Sequence, residues 1–186
     1  MPFVIGLVGE KGSGKGTFAA FFEDAAEERR VVSHRFSSLL AKTLDDWSIQ
    51  RTRANLQTLA VVMDQGFGVG TLSNAVFNVV SKADADIVVL DGVRWDTDMG
   101  LIRRFPKNLL IYITANTRLR YERTLSRGEK ADEASVSFEQ FLEEEQAANE
   151  LGIPRIGALS DDIIKNEGTI EDLREAAIRC YRMHCI

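Results

Sequence analysis

Four glycines fall within the nine residues Gly9-Glu10-Lys11-Gly12-Ser13-Gly14-Lys15-Gly16-Thr17, and this stretch constrains the chain more than any other. It follows an apolar run, Phe3-Val4-Ile5-Gly6-Leu7-Val8, and precedes a helix-like segment from Thr17 to about Arg29. Strand, glycine loop and helix in that order form the context of a phosphate-binding loop. Glycines let successive backbone N–H groups turn inward on an anion. The helix N-terminus adds the positive end of its dipole, and Lys15 can reach the outer phosphates. The alternative is a glycine-rich turn that binds nothing. At ordinary abundances of glycine and lysine, a G-x4-G-K match arises by chance in roughly one chain in twenty of this length. Gly12, Gly16 and the flanking strand and helix make chance a poor explanation. The pattern points to a nucleoside triphosphate or a ligand shaped like one.

The 186 residues suit one compact domain with a three-layer core. A formal net charge of −5 argues against general affinity for nucleic acid or an anionic membrane. No apolar run approaches the length of a membrane span, and no secretory signal is visible at the N-terminus. A cytoplasmic protein is expected, with its oligomeric state left open. The two cysteines, Cys180 and Cys185, lie near the C-terminus. On a helix Cys180 and His184 share a face, which permits a metal or redox reading. Few ligands near a chain end favour an incidental thiol pair instead.

Five short strand candidates alternate with helical segments: Phe3–Val8, Val31–Phe36, Asp86–Leu90, Leu109–Thr114 and Asp162–Lys165. The central ones, Ile87-Val88-Val89-Leu90 and Leu109-Leu110-Ile111-Tyr112-Ile113, are nearly continuous apolar runs. Such runs read as strands covered on both faces, hence a parallel sheet between helices. Arg53–Gln65 and Thr71–Ala83 carry apolar residues at helical spacing. Gly66-Phe67-Gly68-Val69-Gly70 between them follows a helix rather than a strand, so it reads as a helix stop and turn. Ser137-Phe138-Glu139-Gln140 forms a capping box opening an acidic helix to about Leu151, with Gly152 as its stop. Thr169-Ile170-Glu171-Asp172 is a looser start signal for the last helix.

A phosphate cradle needs a metal-directing carboxylate and cations for the charge on a transferred phosphoryl group. Asp91 ends an apolar strand at the carboxyl edge where open α/β sheets bind ligands. It is a candidate Mg²⁺ partner, although Asp-Gly also ends strands as a plain turn. Arg94 follows three residues later. Arg118, Arg120, Arg123, Arg127 and Lys130 form a second cationic cluster, in which Arg120, Arg123 and Arg127 share one helix face. A solvated face pairing with Glu122 or the acidic helix is the alternative. Arginine carries a permanent charge and a planar fork matched to phosphate. The segment then runs into polar Gly128–Ser137, read as a flap that would close over phosphates and exclude water. His34 lies in a strand candidate and reads as packed or exposed rather than as a catalytic base.

Together these residues resemble the P-loop nucleoside monophosphate kinases. Gly-Lys-Gly-Thr at the end of the loop is similar to adenylate kinases and their relatives. Asp91-Gly92-Val93-Arg94 resembles their Asp-Gly-Phe-Pro-Arg element. Asp162–Thr169 followed by Glu171-Asp172-Leu173 resembles the last strand and adenine-side loop of dephospho-coenzyme A kinases and phage-type deoxynucleoside monophosphate kinases. The resemblance spans nearly the whole chain. It implies a three-layer α/β/α P-loop kinase fold with a five-stranded parallel sheet, an acceptor-binding helical insertion at about 37–70 and an arginine-bearing lid at about 128–150.

The same resemblance implies the site. Gly12, Ser13, Gly14, Lys15, Gly16 and Thr17 would hold the phosphates of ATP, with Lys15 bridging to the transferred group and Thr17 near a donor phosphate or metal water. Asp91 would orient Mg²⁺ hydration, Arg94 would hold the acceptor phosphate, and Arg123 and Arg127 would supply lid charges, with Arg120 as a further candidate. Asn166, Gly168 and Thr169 would line the adenine pocket. Ser37, Ser38, Arg51, Arg53 and Gln57 are the polar acceptor-side candidates.

The chain departs from adenylate kinases in three places. Lys11 replaces a loop proline, Arg94 arrives one residue early without a proline before it, and Phe36-Ser37-Ser38-Leu39 stands in place of Thr-Gly-Asp. The last argues against AMP in particular. The expected reaction moves the γ-phosphoryl group of ATP·Mg²⁺ to a small nucleotide acceptor, a nucleoside or deoxynucleoside monophosphate ahead of a hydroxyl acceptor such as dephospho-coenzyme A. A nucleotide-binding switch is the rival outside the kinases. It lacks support from a Gly-Lys-Ser/Thr ending or an Asn-Lys-x-Asp motif.

Overall fold

The structure, a computed structural model, describes residues 1–127 and 136–185, apart from the side chains of Arg53, Arg127, Ala148 and Asn149. The chain runs β1 (Phe3–Val8), α1 (Lys15–Ala25), β2 (Val31–Arg35), α2 (Phe36–Asp46), α3 (Arg53–Phe67), α4 (Thr71–Ser81), β3 (Ile87–Val93) and α5 (Asp96–Arg103). It continues through β4 (Asn108–Thr114), α6 (Thr117–Arg127), α7 (Phe138–Glu145), α8 (Ala148–Leu151), α9 (Ile153–Ala158), β5 (Asp162–Lys165) and α10 (Ile170–Cys185). All five strands are parallel, in the order β2-β3-β1-β4-β5. With β1 at the centre, every strand delivers its carboxyl end to one edge of the sheet. That edge is where open α/β sheets hold ligands.

Alternation along the strands divides the core into two layers. Val4, Val8, Val88, Leu90 and Leu110 face Phe36 of α2, Val76 and Val80 of α4, Leu101 and Ile102 of α5 and Ile153 and Ile156 of α9. Ile5, Leu7, Ile87, Val89, Leu109, Ile111 and Ile113 face Phe18 and Phe22 of α1 and Leu173, Ala177 and Cys180 of α10. Both faces of the central strands are therefore covered, as their unbroken apolar runs require. A smaller cluster of Leu40, Leu44 and Leu59 joins α2 to α3. No helix among the described residues is long and apolar enough to cross a membrane.

The expected strands Phe3–Val8 and Asp162–Lys165 occur with those ends, the other three are shifted by one to three residues at one or both ends, and the glycine segment after α3 is a stop and turn. Gly68 caps α3 at φ 102°, and Gly70 opens α4 at φ 87°. Two readings need correction. Phe36 does not end a strand but starts α2, whose buried positions Phe36, Leu40 and Leu44 recur every fourth residue. The acidic helix is not one continuous helix to Leu151. It breaks after Glu145, and a separate helix, α8, ends at Leu151 with Gly152 as its C-cap, in right-handed helical conformation at φ −75°, where Gly152 also serves as the N-cap of α9. Pro154 in the first turn of α9 marks the start of that helix, where its missing N–H would have had no partner in any case.

Asp98 in α5 is only 3% exposed. Its carboxylate accepts the backbone amides of Arg94 and Trp95, both at 3.1 Å, and the Ser73 hydroxyl at 3.2 Å. Burial pushes this carboxyl above its ordinary range, and the three donors oppose that shift. Asp98 fixes the bend that carries Arg94 off the sheet edge. Asp98→Ala, which strands those donors, is expected to cost about 3 kcal/mol in chemical denaturation. Asp98→Asn keeps an acceptor for the amides and should stay within about 1 kcal/mol of the parent.

Candidate functional site

The loop between β1 and α1 takes its shape from glycines where other residues are strained. Gly12 lies at φ 77° and Gly14 at φ 97°. A Cβ on Gly12 would come within 2.3 Å of the Arg120 carbonyl oxygen, and one on Gly14 within 2.4 Å of Asn166 Nδ2. Gly16 meets nothing within 4 Å, so the first turn of α1 is open there. Ser13 is fully buried, whereas Gly16 and Thr17 are exposed. Gly12→Ala is expected to lower stability by about 1–3 kcal/mol, because it combines left-handed strain with a backbone collision. Its triphosphate affinity should fall at least tenfold. Gly16→Ala should fold normally and gain up to about 1 kcal/mol of helix propensity. Thermal unfolding and triphosphate titration of the two variants separate these effects.

Lys15 folds back across the loop. Its ammonium donates to the carbonyl oxygens of Gly9 at 2.7 Å and Glu10 at 2.9 Å, and to Ser13 Oγ at 3.5 Å. Burial holds its pKa below the ordinary lysine value, while the nearby charges of Asp91, Glu10 and Glu150 pull it up and Arg94 pushes it down. Four ionic groups, from the loop, β3, the residue after β3 and α8, thus act on one ammonium.

Asp91 pairs with Leu7 in the register of β3 on β1 and with Arg35 in that of β3 on β2. Its Oδ2 lies 3.5 Å from Arg35 Nε. Its Oδ1 is buried without a hydrogen-bond partner, as is Glu10 Oε2; the other Glu10 oxygen accepts the Tyr112 hydroxyl. Orphaned buried carboxylate oxygens are costly unless a ligand or ion takes them up. Oxygen donors of this kind suit Mg²⁺, which keeps several waters and takes one or two carboxylates. The residues present fit a hydrated Mg²⁺ held at Asp91, with the exposed Thr17 hydroxyl on the first turn of α1 as a further oxygen.

The cationic residues divide by role. Arg94, half-buried, pairs with Glu150. Arg123 donates to the Asn166 carbonyl at 2.9 Å. Asn166, itself buried, donates through Nδ2 to the Ser13 carbonyl at 2.9 Å. Arg120 is buried and braces the back of the loop. It donates to the Ala115 carbonyl at 3.0 Å, the Lys11 carbonyl at 3.3 Å and Thr117 Oγ1 at 3.2 Å, and it pairs with Glu145 through both guanidinium nitrogens. Lys11 reaches Glu144 at 3.1 Å. Helix α7, the described part of the expected lid, is therefore docked on the loop through Glu144 and Glu145, with Phe141 buried beside Tyr121. Lys130 and the flap residues 128–135 lie outside the described residues, as do the side chains of Arg53 and Arg127.

On the adenine side, Gly168 and Thr169 are exposed. Thr169 is committed to opening α10: its amide and hydroxyl both donate to Asp172 Oδ2 at 2.7 Å, and Asp172 N returns a bond to its hydroxyl at 3.2 Å. On the acceptor side, Ser37 and Ser38 are exposed in the first turn of α2, and Ser38 donates to the Arg35 carbonyl at 2.7 Å. Gln57 is exposed on α3, and Arg51 is paired with Asp45. His34 is half-buried on edge strand β2. The structure thus gathers Lys15, Asp91 and Arg94 in one electrostatic cluster and fastens Asn166 and Arg123 to the loop behind it. Sequence reasoning gave no role to Glu10, Tyr112, Glu150, Asp98 or Arg35. The carboxyl ends of β2 and β4, where Arg35 and Tyr112 lie, carried the available signal.

No family model matches the chain. It is similar along nearly its whole length to UPF0200 proteins. The one from Hyperthermus butylicus is 23% identical over 176 residues, covering 95% of this chain and 91% of the relative. The one from Sulfurisphaera tokodaii is 27% identical over 174 residues, covering 94% and 93%. Among solved structures, TT1252 from Thermus thermophilus superposes with a TM-score of 0.64 at 19% identity over 100% of this chain and 98% of that one. Shikimate kinase from Acinetobacter baumannii gives 0.57 at 14% identity over 100% and 96%. These likenesses concern architecture: the chain has a P-loop kinase-like α/β fold with a five-stranded, all-parallel sheet.

Proposed function

We propose that this protein is an ATP- and Mg²⁺-dependent phosphotransferase that moves the γ-phosphoryl group of ATP to a nucleoside or deoxynucleoside monophosphate. The observation that carries the reading is the glycine cradle at Gly9–Thr17, with the Lys15 ammonium inside it and the orphaned Asp91 oxygen beside it. A fold shared with shikimate kinases supports phosphoryl transfer as the reaction class.

In this reading the amides of Gly12 to Thr17 receive the donor phosphates, and Lys15 exchanges its carbonyl partners for phosphate oxygens. Asp91 and Thr17 would hold Mg²⁺, whose charge would offset that of the donor phosphates. Arg94, with Arg35 as a second cation on the far side of Asp91, orients the acceptor phosphate. Ser37, Ser38, Arg53 and Gln57 would contact the rest of the acceptor. Arg123 and Arg127 would balance charge on the transferring group, and Asn166, Gly168 and Thr169 would border the donor base. An acceptor phosphate oxygen attacks the γ-phosphorus in line, the bond to the β-phosphate oxygen breaks, and ADP leaves. The acceptor oxygen is already ionised, so positioning and charge stabilisation carry the reaction.

One observation favours a second reading, transfer to a hydroxyl. Glu10 Oε2 is a buried carboxylate oxygen with no partner, placed in the loop itself. A hydroxyl acceptor must lose its proton as it attacks, and such a carboxylate can take it. Incubation with ATP, Mg²⁺ and a panel of nucleoside monophosphates, deoxynucleoside monophosphates and dephospho-coenzyme A tests both. ADP release accelerated by a monophosphate supports the first reading, and acceleration by the hydroxyl acceptor alone supports the second. No acceleration across the panel would favour a nucleotide-binding switch.

A further inference from the structure

Cys180 and His184 occupy successive turns of one face of α10, and Asp162 begins β5, the edge strand packed beside that helix. The Cys180 sulfur, a ring nitrogen of His184 and a carboxylate oxygen of Asp162 all lie within 4.8 Å of one another. Neither the sequence motif nor the phosphate site accounts for this group. We propose that these three side chains bind one zinc ion, a structural clamp between β5 and α10.

The chemistry selects the metal. Thiolate, imidazole and carboxylate are the zinc ligand types, and a thiolate disfavours Mg²⁺ and Ca²⁺. Tetrahedral bonds at zinc distances place ligand atoms about 3.3–3.6 Å apart, so small side-chain rotations close the present spacing. The depth of the site is graded. Cys180 is 2% exposed, Asp162 is half-buried and His184 is exposed. That grading leaves the fourth position toward water. On binding, the thiol releases its proton to solvent and the thiolate pair forms the metal–sulfur bond.

The surroundings hold the ligands in place. Asp162 Oδ1 accepts the Ile163 amide at 2.8 Å, which orients the carboxylate. The neighbouring Asp161, whose charge interacts with His184, is fixed by Arg103 at 2.8 and 2.9 Å and by the Leu110 amide at 2.7 Å. A surface hollow of about 280 Å³ between β5 and α10 is bordered by Asp162 and Cys180 at one side and Asn166 and Gly168 at the other. No residue of the phosphate loop lines it. A clamp here would stiffen a four-residue edge strand that leads directly into Asn166, whose amide holds Ser13. This inference does not depend on the kinase reading.

The test uses the tag-free full chain, stripped with chelator and titrated with Zn²⁺ or Co²⁺ alone. One equivalent of Zn²⁺ should bind and raise the melting temperature, and Co²⁺ should give a thiolate-to-cobalt charge-transfer band. Cys180→Ser should abolish the band and weaken Zn²⁺ binding by more than about 100-fold, beyond the 10–100-fold typical of outer-shell changes. The exposed His184→Ala guards against misfolding and should also lose tight binding. Cys185→Ser, outside the group, should keep it. Cobalt binding without the band, a band undiminished in Cys180→Ser, or no stoichiometric zinc in the parent would each overturn the clamp.

Discussion

Lys15→Ala is expected to lower turnover by about 10³-fold or more while the protein remains folded, since a buried donor aimed at developing charge carries an effect of that size. The physical cause is the position of the ammonium. It sits in the cradle on the carbonyls of Gly9 and Glu10, near the charge of Asp91. Arginine should not rescue it, because a planar fork cannot occupy the space of a compact ammonium. Stability should move little or upward in Lys15→Met. The sign follows from the lowered pKa. The unfolded lysine keeps its proton to about pH 10.4, whereas the folded one releases it earlier. Between those two values the unfolded state binds more protons, so this group's contribution to stability rises with pH through that window. Below the window its burial is a constant cost, which Met removes. A melting curve beside a rate assay checks both, and a variant with near-normal turnover would remove Lys15 from the mechanism.

Arg120→Ala is expected to have the largest effect on stability, about 3–5 kcal/mol in chemical denaturation, the range for breaking a buried ion pair. Its side chain is 6% exposed and that of Glu145 is 20% exposed. Removing the guanidinium frees the carbonyls of Lys11 and Ala115 and releases α7 from the loop at once. Nucleotide affinity should fall as well, because the guanidinium holds the Lys11 carbonyl of the loop. A double change, Arg120→Met with Glu145→Leu, should recover much of the stability, since an apolar pair of similar volume often replaces a buried ion pair without loss. Loss in the single variant below about 1 kcal/mol would make Arg120 a surface charge, contrary to its burial.

What could be read in the sequence depended on the range of the interaction. The strands declared themselves through local runs such as Ile87–Leu90, and a fully covered parallel sheet follows from such runs alone. The loop was legible because glycine, lysine and helix start must be adjacent in sequence to do their work. Helix α2 was legible but overlooked: Phe36, Leu40 and Leu44 carry the helical spacing. The break after Glu145 falls at Gln146-Ala147, which carries no glycine or proline, so the acidic pattern hid it.

The remainder of the site rests on contacts between distant residues. Asn166 bonds to Ser13 across 153 positions and Tyr112 to Glu10 across 102. Periodicity placed Arg120 and Arg123 on one helix face, but it could not say that this face is turned toward the loop. Arg120 therefore read as a further lid charge, and the structure makes it a brace. Asp98 had a local signature, an acid in the first turn of α5 placed to cap the amides before it, but its bond to Ser73 arises only through the packing of α4 on α5.

Titration calorimetry of the purified chain with ATP and GTP, each with and without Mg²⁺, tests most directly whether the amides of Gly12–Thr17 and the Lys15 ammonium enclose a polyphosphate. A saturable, single-site heat that requires Mg²⁺ and is lost in Gly12→Ala is the predicted result. Absence of heat with both triphosphates, or equal heat in Gly12→Ala, would contradict the account.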